Sequence, residues 1–499
     1  MKKYIILLTL SFCAATSCVD LLQKPQSSIT PETIELNEQL LESMANGLYK
    51  SWWGENYGFN CRFASISLAG DDMMTGDASK TRNTLDDQMR VPVDNADVRV
   101  LWQEFYKTIF TANNLIEQIE ENTTVGQSIT DKYLGEAHFM RALMYFYVVR
   151  LWGDAPAITS STAASDIDSD PSIPRKSVPE IYNRIIIPDA LIAEELLPST
   201  SRDSYGQGPT KWAAKTLLAD VYLNMAGWPL HDASKYAEAA EKAREVVEDS
   251  PHSLMPKYKD LWLKSTAGDR TEHIFALRHS LTYLPSQYAI SYLGVEENGW
   301  SDYVADPVFF KSFPDDTRKA FCYVTETVDK SGKNIWWEDF ATASPYIRKY
   351  RNYGGCAAWG IEGDNTTRSS LSEGLTPIYR YADALLFCAE ATNKANGGPN
   401  DLAYRCLNLV RERAFGDKSH ALGGLSADEF DKAVFDEFGW ENVFEFKRWF
   451  QLVRTERVDE CLARNPAVGA RVNVNRENYL FPVPVRQAEL RKWKNNPGY

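Results

Sequence analysis

Four pairs of neighbouring acids stand out in this chain: Asp71-Asp72, Asp86-Asp87, Glu296-Glu297 and Asp315-Asp316. A glycosidase needs two carboxylates flanking a sugar, about 5–10 Å apart. Adjacency in sequence does not supply that geometry, so the pairs read as solvated loop charge. Asp71-Asp72 is the least bland, because it begins a polar stretch, Gly70 to Val93, that can reach a ligand. The fourteen tryptophans offer a different chemistry. A flat indole stacks on the apolar face of a sugar ring while nearby amides and carboxylates bond its hydroxyls, an apolar wall with a few placed polar groups. Trp300, Trp336, Trp337 and Trp359 lie among Gly, Asn, Asp and Tyr and are the candidate ligand contacts. Trp300 comes first, with Asn298, Asp302 and Tyr303 beside it and Gly299 to let the backbone turn. Asp72 and Arg82 are candidates for the polar edge of the same site.

The remaining tryptophans read as core: Trp102, Trp152, Trp212 and Trp449 in helical stretches, and Trp52, Trp53, Trp228, Trp262, Trp440 and Trp493 elsewhere. Glu136 and Arg141, five apart on one helix, suit a buried ionic network better than a catalytic acid with its electrophile, since buried charges are usually paired. The cysteines after residue 18 (Cys61, Cys322, Cys356, Cys388, Cys406 and Cys461) form no CxxC and have no histidine spacing to match, which argues against zinc. Cys388 and Cys406 fall inside helical patterns and read as small buried hydrophobes. No EF-hand-like loop is present, so calcium is not assigned. No cofactor is implied.

These residues need a scaffold, and periodicity supplies it. From Asp131, apolar residues fill almost every face of a long helix that Gly153 and Pro156 end. Thr210 is placed to cap a second helix through Met225, and Tyr236 to Val246 mark its return. A third pair covers Ile378 to Lys394 and Leu402 to Ala414, split by Gly397-Gly398-Pro399. The reading is mainly α: tetratricopeptide-like helix-pair repeats at about 30–250 and 375–499. A large irregular insertion, rich in Gly, Pro, Tyr, Trp and Asp, spans about 251–374, and such stretches on a rigid scaffold tend to carry binding residues.

The N-terminus sets the address. Met1-Lys2-Lys3, an apolar run from Tyr4 to Ala15, and small residues before Cys18 describe a secretory signal peptide over residues 1–17, too short to span a bilayer. Ala15-Thr16-Ser17-Cys18 resembles a bacterial lipobox, which makes Cys18 the expected lipid anchor of a mature domain over 18–499. Cleavage there removes two lysines and leaves 52 basic residues against 68 acidic ones, a formal −16. That balance argues against nucleic acid and against docking on anionic lipid.

Several segments resemble one family in order along the chain. They are Trp102-x-x-x-Tyr106-x-x-Ile109 with Ala112-Asn113-Asn114-Leu115-Ile116; Gly135-Glu136-Ala137-His138-Phe139-Met140-Arg141-Ala142 through Arg150-Leu151-Trp152-Gly153-Asp154-Ala155-Pro156; Thr210-Lys211-Trp212 through Leu218-Ala219-Asp220; Arg380-Tyr381-Ala382-Asp383; and the closing Asn496-Pro497-Gly498-Tyr499. Together they are similar to the SusD/RagB outer-membrane nutrient-binding lipoproteins. The resemblance implies right-handed helix-pair repeats carrying a ligand-binding insertion, and a SusC-like TonB-dependent transporter on which the protein sits as a lid. It implies a non-catalytic, surface-exposed, lipid-anchored protein that captures an oligosaccharide or other nutrient. A lid with no ligand affinity of its own and an all-helical surface glycosidase stand as competing readings. The family pattern has an Arg near Phe438, a Gly at Phe446 and an Asp at Gln451, so packing around those residues is where this chain departs.

Overall fold

A computed structural model describes residues 36–50, 58–76, 91–122, 124–161, 170–202, 208–266, 268–280, 286, 290–329, 331–351, 373–462 and 476–499. Cys18, Trp52, Trp53, Arg82, Asp86, Asp87, Cys356 and Trp359 lie outside the described residues. Helices α1 (Glu38–Lys50) and α2 (Gly58–Ser67) lead to a two-residue strand β1 (Met73–Met74). Then come α3 (Ala96–Glu120) and α4 (Gln127–Trp152). The α4 helix starts a turn earlier than its apolar pattern suggests, and Ala137, Phe139, Leu143, Phe146, Val148 and Leu151 on its several faces are wholly buried. A helix apolar all round must lie in the middle of the core, and α4 packs against α1, α3 and α5 (Ile187–Leu196). Gly153 ends it at φ 70°, a left-handed value that costs glycine nothing.

The next pair is α6 (Lys211–Ala226) and α7 (Lys235–Asp249). Ala239 and Ala243 are fully buried on α7, and their small size lets it sit close between α6 and the later helix Tyr381–Asn396. Thr210 holds the N-cap position of α6, but its hydroxyl makes no capping bond. Strand β2 (His273–Leu277) pairs antiparallel with β6 (Thr376–Arg380), and β6 runs straight into α10 (Tyr381–Asn396) and its partner α11 (Asp401–Phe415). Between β2 and β6 the described backbone holds only short elements. These include β3 (Val304–Ala305), α8 (Pro307–Ser312), α9 (Thr317–Cys322) and the hairpin β4 (Glu326–Val328) with β5 (Asn334–Trp336). Two further helices, α12 (Ala427–Glu441) and α13 (Arg448–Arg454), complete the core. Trp102, Trp152, Trp212, Trp262 and Trp449 are buried as expected, while Trp228, Trp440 and Trp493 are half-buried at its margin. Cys388 and Cys406 are fully buried thiols.

Charge is buried with partners. Arg141 donates to Asp189 at 2.7 and 2.8 Å and to Asn113 at 2.8 Å, tying α4 to α5 and α3. Glu136 instead accepts from Arg202 and Tyr49. The larger cluster centres on Arg380, which is wholly buried. Its guanidinium donates to Glu272 and Glu441 at 2.8 Å, and to Glu445 at 2.7 and 2.9 Å. Arg413 shares Glu272 and Glu441, Arg318 pairs with Asp316, Glu437 and Glu441, and Lys349 donates to Glu445.

The acid pairs correct the reading from sequence. Asp71, Asp72, Glu297 and Asp316 are buried and spoken for. Asp71 binds Arg448 at 2.7 Å, Glu297 binds Arg351 at 2.5 Å, and Asp316 caps α9 while holding Arg318. Among the described acids of these pairs, only Asp315 stands out in solvent. Asp316 sits on extended backbone, which points consecutive side chains to opposite sides, so it enters the core beside Arg318 while Asp315 stays in solvent.

The family departures pack. Phe438 stacks on Phe387 with ring centroids 5.9 Å apart, and Gln451 donates to the Phe435 carbonyl and accepts from Arg448. Phe444 and Phe446 are held at φ 65° and 62°, where a bulky residue is strained. Burial of both rings, Tyr350 donating to the Phe444 carbonyl and Asp72 accepting from the Phe444 amide keep the turn in place.

Burial alone pushes Glu441 up, but Arg413, Arg380 and Arg318 outweigh it and hold its carboxyl at about 2. A depressed carboxylate contributes stability that is complete above the ordinary value of 4.5 and is lost as pH falls towards 2. Glu441→Gln should therefore cost about 3–5 kcal/mol in urea unfolding at pH 7, the size of a broken buried ion pair. The deficit should shrink steadily as the titration is repeated below pH 4.5.

Candidate functional site

Trp300 owes its position to a tightly pinned turn. Val295–Glu297 form a single 3-10 turn, Asn298 follows at φ 59° in the left-handed region, and Ser301 returns to that region at φ 47°. Asn tolerates this conformation better than most residues. Gly299 has another role than the one expected of it. Its backbone is not left-handed, but a Cβ there would lie 2.2 Å from the Leu293 carbonyl oxygen, so only glycine lets the turn close on Leu293. Gly299 N–H donates to the Gly294 carbonyl at 2.8 Å and Ser301 N–H to the Leu293 carbonyl at 3.0 Å. Beneath the turn, Glu297 accepts from the Gly294 amide and is fixed by Arg351. The result presents Trp300 outward, 42% exposed, beside exposed Asn298 and half-buried Asp302.

A second indole comes from the hairpin. Trp336, at the end of β5, pairs with Glu326 and is 57% exposed. Glu296 links the two places. Its carboxylate accepts from the Tyr346 hydroxyl and, at 2.8 Å, from the Ala341 amide in the segment just after Trp336-Trp337. Tyr346 stacks on Phe340 at 4.7 Å and lies against Gly294. The exposed tryptophans are thus carried on segments stitched to each other by one carboxylate. Sequence reading assigned Glu296 to solvated charge; the Tyr346 phenol is too distant in the chain to have signalled its role.

Three other candidates turn inward. Tyr303 is 1% exposed, packs 5.1 Å from Tyr292 and shares a 3.0 Å hydrogen bond with Ser65. Trp337 packs edge-on to Phe310 beneath the hairpin, with Lys311 over its ring. Asp72 accepts from the Phe444 amide at 2.8 Å. They position the site from below and offer no ligand surface. Among the described residues no group of three or more His, Cys, Asp or Glu is arranged to hold a metal ion.

Two family descriptions match the chain. "Starch-binding associating with outer membrane" covers residues 20–223 and "SusD family" covers residues 294–499. This chain belongs to the SusD family. It is 29% identical, over the whole of both chains, to SusD-like protein P2 of Formosa agariphila. It is 27% identical to a SusD-like protein of Bacteroides ovatus, over 90% of this chain and 83% of that one. The fold superposes on a SusD homolog from Bacteroides thetaiotaomicron with a TM-score of 0.80 at 22% identity, covering 93% and 97% of the two chains. It superposes on a laminarin-binding SusD-like protein with a TM-score of 0.74 at 21% identity, covering 93% and 100%. The mainly α architecture is that of this superfamily.

In this SusD-family chain, β1 pairs with β3, so Asp72 buttresses the strand that follows Tyr303. Burial raises its carboxyl to about 6, against the lowering effect of the Phe444 amide. A raised carboxylate costs stability wherever it is ionised in the fold. That cost is complete above pH 6 and vanishes below the ordinary value of 3.8. Asp72→Asn should therefore unfold at higher urea than the parent at pH 7.5, with the gain fading between pH 6 and 4.

Proposed function

We propose that this protein captures glycan at the cell surface and passes it to a SusC-like TonB-dependent transporter without cleaving it. The observation that carries the reading is the pair of exposed indoles, Trp300 and Trp336, on pinned and mutually linked segments of the irregular region. A sugar ring fits a flat indole edged by Asn298 and Asp302, an apolar wall with a few placed polar groups. Structural relatives support the class of ligand: one is described as laminarin-binding, and another as a surface glycan-binding protein in complex with laminarihexaose. The acids that a glycosidase would recruit support binding over cleavage, since Asp71, Glu297 and Asp316 are committed to arginines. The polymer itself would be named by the hydrolases encoded beside this chain.

Trp300→Ala should weaken binding of the cognate oligosaccharide by about 2 kcal/mol or more in calorimetry, the size of an aromatic hot spot. The melting temperature should stay near that of the parent, because the ring is half in solvent. Normal binding with a much lower melting temperature would make Trp300 a packing residue. No measurable affinity in the parent for any glycan on an array would favour the bare lid.

The address and partner complete the proposal. Cys18 carries the lipid, and the folded domain rests on the transporter barrel over more than about 1,000 Å², the usual size of a stable interface. None of the described helices is long and apolar enough to cross a membrane. Cys18→Ser should abolish labelling by a fatty-acid analogue and release the protein from the membrane fraction. The parent, extracted in mild detergent, should bring a TonB-dependent barrel with it; recovery of the lipoprotein alone with the barrel expressed would remove the partner from the proposal.

A further inference from the structure

A cavity of about 190 Å³ lies between α8, α12 and α13, and none of its lining residues belongs to the Trp300 turn or the Trp336 hairpin. Its walls are aromatic: Trp440 on α12, half-buried, with Phe309 of α8 and Phe435 of α12. Its floor is fixed. The Arg448 guanidinium sits 4.4 Å from the Phe435 ring centroid and 5.4 Å from that of Phe309, and is locked to Asp71 at 2.7 and 3.1 Å. Both floor residues are more than nine-tenths buried, so this polar surface is built into the core and does not rearrange with solvent. The rim is polar. Asp306 caps α8 through the Val308 and Phe309 amides, Ser312 closes the same helix, and Lys432 is paired with Asp436 one turn along α12.

Size and chemistry narrow the occupant. A cavity of about 150 Å³ is enough to admit a benzene ring, so this one has room for a single six-membered ring. Asp71, Asp306, Lys432, Asp436 and Ser312 already have partners within the protein, and their remaining lone pairs and protons favour a ligand that carries hydroxyls over a purely apolar ring. A pyranose presents an apolar face to Trp440 and hydroxyls to the rim, each able to donate to a carboxylate or accept from Lys432. Four carboxylates line the cavity (Asp71, Asp306, Asp436 and Glu460) against two cations, Lys432 and Arg448. A ligand carboxylate or sulfate would meet net repulsion at close range.

We infer that this cavity is a second carbohydrate site, which takes one uncharged pyranose residue and rejects uronic acids. It is independent of the Trp300 platform, so a glycan chain or its free end has two points of hold on the protein. Two weak points of hold on one chain raise the effective concentration of each for the other.

The test uses ligand-observed saturation-transfer NMR on the folded protein carrying Trp300→Ala, which silences the first platform. The probes are methyl pyranosides of glucose, galactose, mannose and xylose, and methyl glucuronide. At least one neutral pyranoside should show saturable transfer, and the glucuronide should bind at least tenfold more weakly. Adding Ser312→Trp, which fills the rim without removing a packed ring, should weaken the neutral pyranoside at least tenfold while the melting temperature holds. Trp440→Phe should weaken it less than the filling variant, since a smaller ring still offers a face. No saturable transfer from any neutral pyranoside, undiminished transfer in the filled variant, or equal binding of the glucuronide would each overturn the inference. Failure of Trp300→Ala to affect oligosaccharide binding would count against the platform and leave this readout intact.

Discussion

The position of Arg380 is the constraint on which the rest of the molecule depends. It closes β6, opens α10 and lies wholly inside the protein. A guanidinium cannot shed its charge, so it must be surrounded by acceptors. Glu272 comes from the approach to β2, Glu441 from the end of α12 and Glu445 from the turn beyond it. Arg318 and Lys349 then bring the irregular region onto the same carboxylates. Removing one member would cost several kcal/mol by leaving its partners' charge uncompensated. The cluster therefore specifies how scaffold and insertion meet, more sharply than apolar contact alone would.

The helices were legible because their signals are local. Leu143, Phe146 and Leu151 fill α4 from several sides, and Gly153 stops it where a left-handed residue is required. The acid doublets were misread because sequence shows composition and hides direction. Glu296 and Glu297 are neighbours, yet one clasps Tyr346 near the surface and the other meets Arg351 in the core. Trp336 and Trp337 divide the same way, one outward and one under the hairpin. In short turns and two-residue strands no period lasts long enough to say which of two neighbours faces inward. The partners that decide it lie dozens of residues away.

The turn from Asn442 to Lys447 carries strain that its neighbours hold in place. Two phenylalanines occupy left-handed backbone where the family pattern has glycine at one of them. Conformations of this kind cost on the order of 1–3 kcal/mol each and persist only where surroundings over-determine them. Here the surroundings are Asp72 and Tyr350 on the backbone and a buried pocket for each ring. Phe438, stacked on Phe387, lines one pocket with Phe446 and Gln451, so the family departures fall together in space.

The pairing of β2 with β6 has a further result for how such proteins diversify. These strands bring the two ends of the irregular region together before the scaffold resumes, so chain added at an exposed point between them enlarges a loop whose ends are already held. Closure entropy rises with the logarithm of length, roughly 0.6 kcal/mol for each doubling. Evolution can therefore lengthen or shorten exposed stretches between Arg278 and Leu375 at little thermodynamic cost, provided the strand pair, the charges facing Arg380 and the buried residues of that region, Tyr303, Phe309 and Tyr350 among them, survive. A lineage could thus renew the exposed surface of the loop while its buried residues stay in place.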